Sequence, residues 1–171
     1  TFSFDWLGFD VSAFFQGTGN HYWYPAGMNY AFWGPYSYSY VSFIPRDFYT
    51  KMCWSEEHPD AYFPRPRAYS STGGELSKVN SRYLQNLRYL RFKNLTVGYT
   101  IPESLTKKIR VDHIRVYFSG ENLCYWSPLK KVTKYLDPES AYTRYSSSAN
   151  ARDHYAYPWQ KTYMFGIDIT F

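Results

Sequence analysis

The sequence predicts an all-β chain of antiparallel, up-and-down strands joined by connections of very unequal length. Three observations carry this expectation. Apolar and polar residues alternate with a period of two in several separate runs, as in strands with two unlike faces. The connections between those runs are by turns short and long. Aromatic residues make up 23 % of the chain (20 Tyr, 13 Phe and 6 Trp), yet mean hydropathy is -0.54. That combination suits surfaces meeting two solvents, or loops that grip a ligand, better than an aliphatic soluble core.

The elements follow in order. "TFSFDW" places Phe2, Phe4 and Trp6 on one face. "GFDVSAFFQG" places Phe9, Val11, Ala13 and Phe15 opposite Asp10, Ser12, Phe14 and Gln16. Only Leu7 and Gly8 separate these runs, which predicts a tight hairpin. "NLTVGYTI" sets Leu95, Val97, Tyr99 and Ile101 against Asn94, Thr96, Gly98 and Thr100. Leu90 and Phe92 have the opposite parity, which predicts a bulge near Lys93 and Asn94. "VDHIRVYFSGEN" sets Ile114, Val116, Phe118 and Gly120 against His113, Arg115, Tyr117, Ser119 and Glu121. The final run, "KTYMFGIDITF", alternates through Tyr163, Phe165, Ile167 and Ile169 to Phe171. The expected strands are thus 1–6, 8–17, 88–101, 111–124 and 161–171.

"PESLTKKIR" between the third and fourth strands is expected to form a helical turn. Residues 18–86 and 127–160 read as long irregular loops, rich in Tyr, Pro, Ser and Gly; loops of this length are usually functional or disordered. A minor hairpin is expected within 37–43. Such alternation of short and long connections puts tight turns at one end of a sheet and long loops at the other, as in outer-membrane barrels. A soluble, secreted β-sandwich that binds carbohydrate explains the strand pattern equally well, so both stay open at this level.

No run approaches the roughly 18 apolar residues of a membrane-spanning helix. The chain begins without Met and inside a strand, which reads as a piece of something longer. The net charge of +5 is scattered, so no nucleic-acid partner is expected. Cys53 and Cys124 are far apart without metal-ligand spacing; a disulfide and two free thiols both remain open. His21, His58, His113 and His154 are isolated. "GTGN" lacks a phosphate-binding lysine, and "SSTGG" is a flexible loop by composition. Glu56–Glu57 and Asp137/Glu139 are acid pairs of a kind that a glycosidase uses, but loop carboxylates are ordinarily solvated. No enzyme activity, metal or cofactor is expected.

Binding has better candidates. Tyr22, Trp23, Tyr24, Tyr30, Phe32, Trp33, Tyr36, Tyr38 and Tyr40 crowd the first long loop. Flat rings stack on sugar faces or pack on peptide side chains, and the hydroxyls give orientation. They could line a substrate cavity, pack on a partner or neighbouring loops, or sit in a lipid-interface girdle, with Tyr125, Trp126 and Trp159 fitting the girdle best. Glu121 and Arg115 share the polar strand face, which suits a structural network more than a substrate contact.

The segment "YLRFKNLTVGYTIPESLTKKIRVDHIRVYFSGENL", residues 89–123, resembles the C-terminal region of SusC/RagA-type TonB-dependent outer-membrane transporters. "GFDVSAFFQGTGN", "YLDPES" at 135–140 and the closing "TYMFGIDITF" resemble that family's motifs in the same order. The resemblance implies the C-terminal part of a large transmembrane β-barrel with long extracellular loops, in a barrel of about 22 strands. It implies import of an oligosaccharide or peptide, a SusD-like surface lipoprotein as partner, and coupling to TonB through an N-terminal part with a plug domain not contained in this chain. It also implies that terminal Phe171 is read by the barrel-assembly machinery and lies at the periplasmic rim. Residues 18–86 and 127–160 are then extracellular, and Leu7–Gly8 and 102–110 periplasmic. Around "AYFPRPR", residues 61–67, only a general proline-containing form is shared.

Overall fold

The computed structural model describes residues 1–25, 27, 29–37, 44–67, 70–141 and 159–171. Its strands in chain order are β1 (Phe2–Trp6), β2 (Phe9–Thr18), β3 (Tyr22–Trp23), β4 (Gln85–Asn86), β5 (Tyr89–Thr100), β6 (His113–Trp126) and β7 (Thr162–Thr170). The chain divides into two compact units. One comprises Thr1–Thr18, Tyr89–Trp126 and Pro158–Phe171; the other comprises Gly19–Arg88 and Ser127–Tyr157.

The first unit is a five-stranded sheet of order β1-β2-β5-β6-β7. Every neighbouring pair is antiparallel. The sheet does not close on itself: β1 pairs only with β2, and β7 only with β6, among the described residues. The β1–β2 turn is built by Leu7 (φ 46°) and Gly8 (φ 87°). Two successive left-handed residues give the turn whose twist matches that of the flanking strands. At Gly8 the backbone also runs close to β5: its carbonyl accepts from the Thr100 N–H at 2.7 Å, and a Cβ there would lie 2.8 Å from the Thr100 carbonyl oxygen.

The parity change in β5 is a bulge. On the β2 side the register steps from Phe14↔Asn94 to Phe15↔Phe92, passing over Lys93. On the β6 side Asn94 faces Glu121 while Phe92 faces Cys124, and Asn122 takes φ 50° to absorb the mismatch. Between β5 and β6, Pro102 opens a helical turn over Glu103–Thr106 that tightens through Lys107–Ile109 and stops at Arg110 in the left-handed region. Lys107 Nζ and the Glu103 carboxylate, one turn apart, meet at 2.7 Å.

The second unit differs from the irregular loops expected for residues 18–86. It has its own hydrophobic core, and the rings supply it. Trp33, Phe48 and Phe63 are fully buried, joined by Trp23, Phe32, Tyr36, Tyr83, Leu87 and Leu129. Phe63 is the hub: Phe32, Trp33, Tyr36, Phe48 and Tyr83 all place their centroids within 5.6–6.3 Å of it. Regular elements are short: the β3–β4 pair and single helical turns at Tyr30–Trp33 and Phe48–Met52. Asn29 initiates the first turn, its Oδ1 accepting from the Phe32 N–H at 3.0 Å. Aromatic packing therefore replaces backbone ladders as the organising force. The hairpin expected within 37–43 falls mostly outside the described residues. Both cysteines are free thiols.

Phe63→Ala removes the ring that the others share, and such truncations cost roughly 3–5 kcal/mol. Chemical denaturation of the intact protein, followed by tryptophan fluorescence, should show the second unit unfolding at markedly lower denaturant. An unshifted transition would mean that the rings do not form the core.

Candidate functional site: two unlike faces of one sheet

Cross-strand register sorts the sheet's side chains into rows. One face carries Phe2–Ala13–Leu95–Gly120–Tyr163, then Phe4–Val11–Val97–Phe118–Phe165, then Trp6–Phe9–Tyr99–Val116–Ile167. This is a continuous apolar band across all five strands. It is uncovered: Phe4 is 60 % exposed, Trp6 62 % and Phe165 83 %. The outward rings touch one another along the rows, as Phe118 does with Phe165 at 5.1 Å and Phe9 with Tyr99 at 4.5 Å. Burial of such area is worth about 25 cal/mol per Å2, so an apolar band left in water is costly.

The opposite face is polar and partly bare. Its rows are Ser3–Ser12–Thr96–Ser119–Met164 and Asp5–Asp10–Gly98–Tyr117–Gly166, followed by Thr100–Arg115–Asp168. Arg115 organises it. From β6 its guanidinium reaches across β5 to Asp10 on β2, donating from Nε at 2.9 Å and from Nη2 at 2.6 Å. Nη1 donates to Asp168 on β7 at 3.4 Å. One side chain thus ties together the strands on both sides of it, and the planar, two-pronged contact to Asp10 is the geometry arginine provides and lysine does not.

Two glycines make this arrangement fit. A Cβ at Gly98 would lie 2.6–2.7 Å from the Arg115 Nη2 and Nε atoms. A Cβ at Gly166 would overlap the Tyr117 ring. Side chains therefore lie flat over glycine rather than standing out from the face, and the Arg115 guanidinium sits 5.1 Å from the Tyr117 ring centre. Asp10, Gly98 and Gly166 were legible only as polar or small positions; that they form one constellation with Arg115 depends on cross-strand register. Glu121, which shares this face with Arg115, pairs in register with Asn94 and Thr162.

The sequence-selected rings occupy various places. Trp23, Phe32, Trp33 and Tyr36 are buried in the core of the second unit, where Trp33 Nε1 donates to the Pro25 carbonyl at 3.2 Å. The Tyr36 hydroxyl donates to the Pro64 carbonyl and lies 3.4 Å from Cys53 Sγ. Burial pushes the Tyr36 phenol well above its ordinary pKa, and burial also raises the Cys53 thiol. Tyr22 is exposed; Tyr24 is half-buried and donates to the Lys78 carbonyl at 3.1 Å. Of Tyr30 only the backbone is described, and Tyr38 and Tyr40 lie outside the described residues. Trp126 and Trp159 are exposed on the sheet unit, with Lys93 Nζ 4.3 Å over the Trp159 ring. Phe171 is 86 % exposed beyond β7. Among the described residues no cluster of His, Cys, Asp or Glu is arranged to hold a metal.

Among the described residues this is an antiparallel sheet with one apolar, uncovered face, one polar face and two edge strands paired on one side only, which defines a class of sheet with two unlike faces. No family model matches the chain. It is 30 % identical over 122 residues to TonB-dependent receptor P3 of Formosa agariphila, an alignment covering 69 % of this chain and 11 % of that protein. It is 26 % identical over 170 residues to TonB-dependent receptor P26 of the same organism, covering 95 % of this chain and 15 % of that one. Among solved structures, the RagAB peptide importer in its open-open state superposes with a TM-score of 0.60 at 22 % identity, over 97 % of this chain and 16 % of that chain. The RagAB peptide transporter gives 0.58 at 23 % identity, with the same coverage. In sequence the chain is similar to part of two TonB-dependent receptors, and its fold is shared with part of the RagAB chain. It spans only 11 % and 15 % of the length of the two curated relatives.

Gly98→Val forces the Arg115 guanidinium off Asp10. The pair is partly solvent-exposed, so its own contribution is at most about 1 kcal/mol. Overpacking adds roughly 1–3 kcal/mol. The intact receptor carrying this change should unfold at lower temperature, whereas Gly19→Ala, at an open position, should not; equal melting temperatures for the two would contradict the brace.

Proposed function

We propose that this chain supplies about five strands of the outer-membrane β-barrel wall of a SusC-like, TonB-dependent transporter. The transporter imports a peptide or oligosaccharide beneath a SusD-like surface lipoprotein, and receives energy from the TonB complex through the part of the receptor that carries the plug. The role of this segment is wall, extracellular loops and barrel closure, not catalysis. In this reading the apolar band faces lipid and the Arg115 face lines the wet lumen.

One observation carries the reading: apolar rows run across all five strands, open at Phe4, Trp6 and Phe165, while the opposite rows are polar or glycine apart from Tyr117 and Met164. Strand lengths support it. A tilted strand crosses the bilayer core in roughly 9–11 residues; β2, β5, β6 and β7 have 10, 12, 14 and 9. The free edges of β1 and β7 support it as well, because unpaired backbone groups in hydrocarbon cost several kcal/mol each and must find partners elsewhere in the receptor. A soluble sandwich would need a second sheet over Phe4 and Phe165, and those residues are open.

An Arg at mid-depth on a lipid face costs about 2–4 kcal/mol, whereas lumen positions tolerate charge. Phe165→Arg and Val97→Arg in the full-length receptor should therefore lower the folded, heat-modifiable fraction in outer-membrane preparations. Thr96→Arg and Ser119→Arg should leave it near wild type. The reverse ranking would overturn the assignment of faces.

A further inference from the structure

The second unit contains a cavity of about 480 Å3 whose lining includes Trp54, Phe63, Arg65, Arg67, Arg82 and Tyr83. Its size falls within the roughly 300–1,000 Å3 usual for small-ligand pockets. Three arginines contribute to it, and among the described residues lining it Glu75 is the single acid. Prolines and rings supply the rest of the wall, so the cavity offers an apolar body and a concentrated positive charge.

The arginines are held in place. Arg82 donates from Nε to the Tyr62 carbonyl and from Nη2 to the Ala61 carbonyl, each at 2.9 Å. These neutral acceptors fix the guanidinium plane without cancelling its charge. The Tyr62 hydroxyl returns a bond to the Arg82 carbonyl at 2.7 Å. Arg65 stands 4.4 Å over the Trp54 ring. Among the described residues its acidic contact is Glu56 at 3.7 Å, whose carboxylate is 89 % exposed and therefore strongly screened. Buried Ser70 pins the backbone of the other two: its Oγ accepts from the Arg67 N–H at 2.6 Å and shares its own proton between the Arg65 and Arg67 carbonyls at 3.1 and 3.0 Å.

The geometry points to a binding site for a carboxylate carried on a flat or apolar body of about one residue, the carboxylate meeting the arginines and the body resting against Trp54, Pro59 and Pro64. Such a carboxylate could belong to the end of a short peptide or to a uronic-acid unit of a glycan. Planar guanidinium groups suit carboxylate oxygens in pairs. The assignment rests on the import reading above and narrows its substrate to an acidic one.

The test is calorimetric titration of the purified full-length receptor with N-acetylphenylalanine against its amide, and with glucuronate against glucose. The acids should bind, and their neutral counterparts should bind on the order of tenfold more weakly or not at all. Arg67→Gln and Arg65→Gln should each weaken the acid by a similar factor. Glu75→Gln should tighten it, a gain that misfolding cannot mimic. Binding of N-acetylphenylalanine alone assigns the carboxylate to a peptide end, and binding of glucuronate alone to an acidic sugar; both support the site. Equal binding of acid and neutral probes, no binding of any probe, or affinities indifferent to Arg67→Gln and Glu75→Gln would overturn it. Outer-membrane fractionation of the same receptor separates the two proposals. A membrane-resident receptor that binds no acid sinks the cavity alone, and an acid-binding receptor absent from the membrane sinks the wall.

Discussion

Backbone hydrogen bonding along an apolar sheet is the constraint on which the rest of this molecule depends. Each peptide group on β1 and β7 has a donor and an acceptor, and those directed away from the sheet find no partner among the described residues. In water such an edge is tolerable. Beside the apolar rows of Phe4, Val97 and Phe165 it is not, if those rows are immersed in hydrocarbon. The same constraint accounts for the length of the interior strands, for the closed hairpin at Leu7–Gly8, and for a bulge at Lys93 that keeps pairing continuous on both sides of β5. The sheet shares its fold with about a sixth of the RagAB chain.

The polar face solves a different problem. With no second layer needed above it, its cohesion comes from side chains lying along the sheet. Arg115 spans from Asp10 to Asp168 because Gly98 leaves the way clear, and Tyr117 settles over Gly166 for the same reason. The salt bridges are worth little individually in a solvated setting. Their value is geometric: they join strands that are distant in sequence and keep the face smooth. The second unit has the opposite economy, since its cohesion is aromatic burial around Phe63.

Much of the sheet could be read from alternation alone. The parity of Leu95, Val97 and Tyr99 against Leu90 and Phe92 located the bulge, and the spacing of Trp6 and Phe9 located the turn. Those features are local, and period two is a strong local signal. The Asp10–Arg115–Asp168 network was not legible, because it joins residues on three strands and register is set by pairing. Nor was the core of the second unit, whose rings at positions 23, 32, 33, 36, 48 and 63 follow neither period. Such crowding reads equally as a ligand-gripping loop, and Trp33 and Phe63 differ from exposed Tyr22 only through packing. The cavity near Arg82 was hidden for the same reason: "PRPR" and Arg82 are separated in the chain by a serine- and glycine-rich stretch and converge only in three dimensions.

Spin-label accessibility measures most directly whether the two faces meet two solvents. Single cysteines would replace, one at a time, residues 163–169 in the full-length receptor in lipid vesicles, with Cys53 and Cys124 changed to serine. Labels at 163, 165, 167 and 169 should collide preferentially with oxygen, and those at 164, 166 and 168 with a water-soluble nickel complex, alternating residue by residue. Uniform exposure to the nickel complex along the strand would contradict a lipid-facing wall.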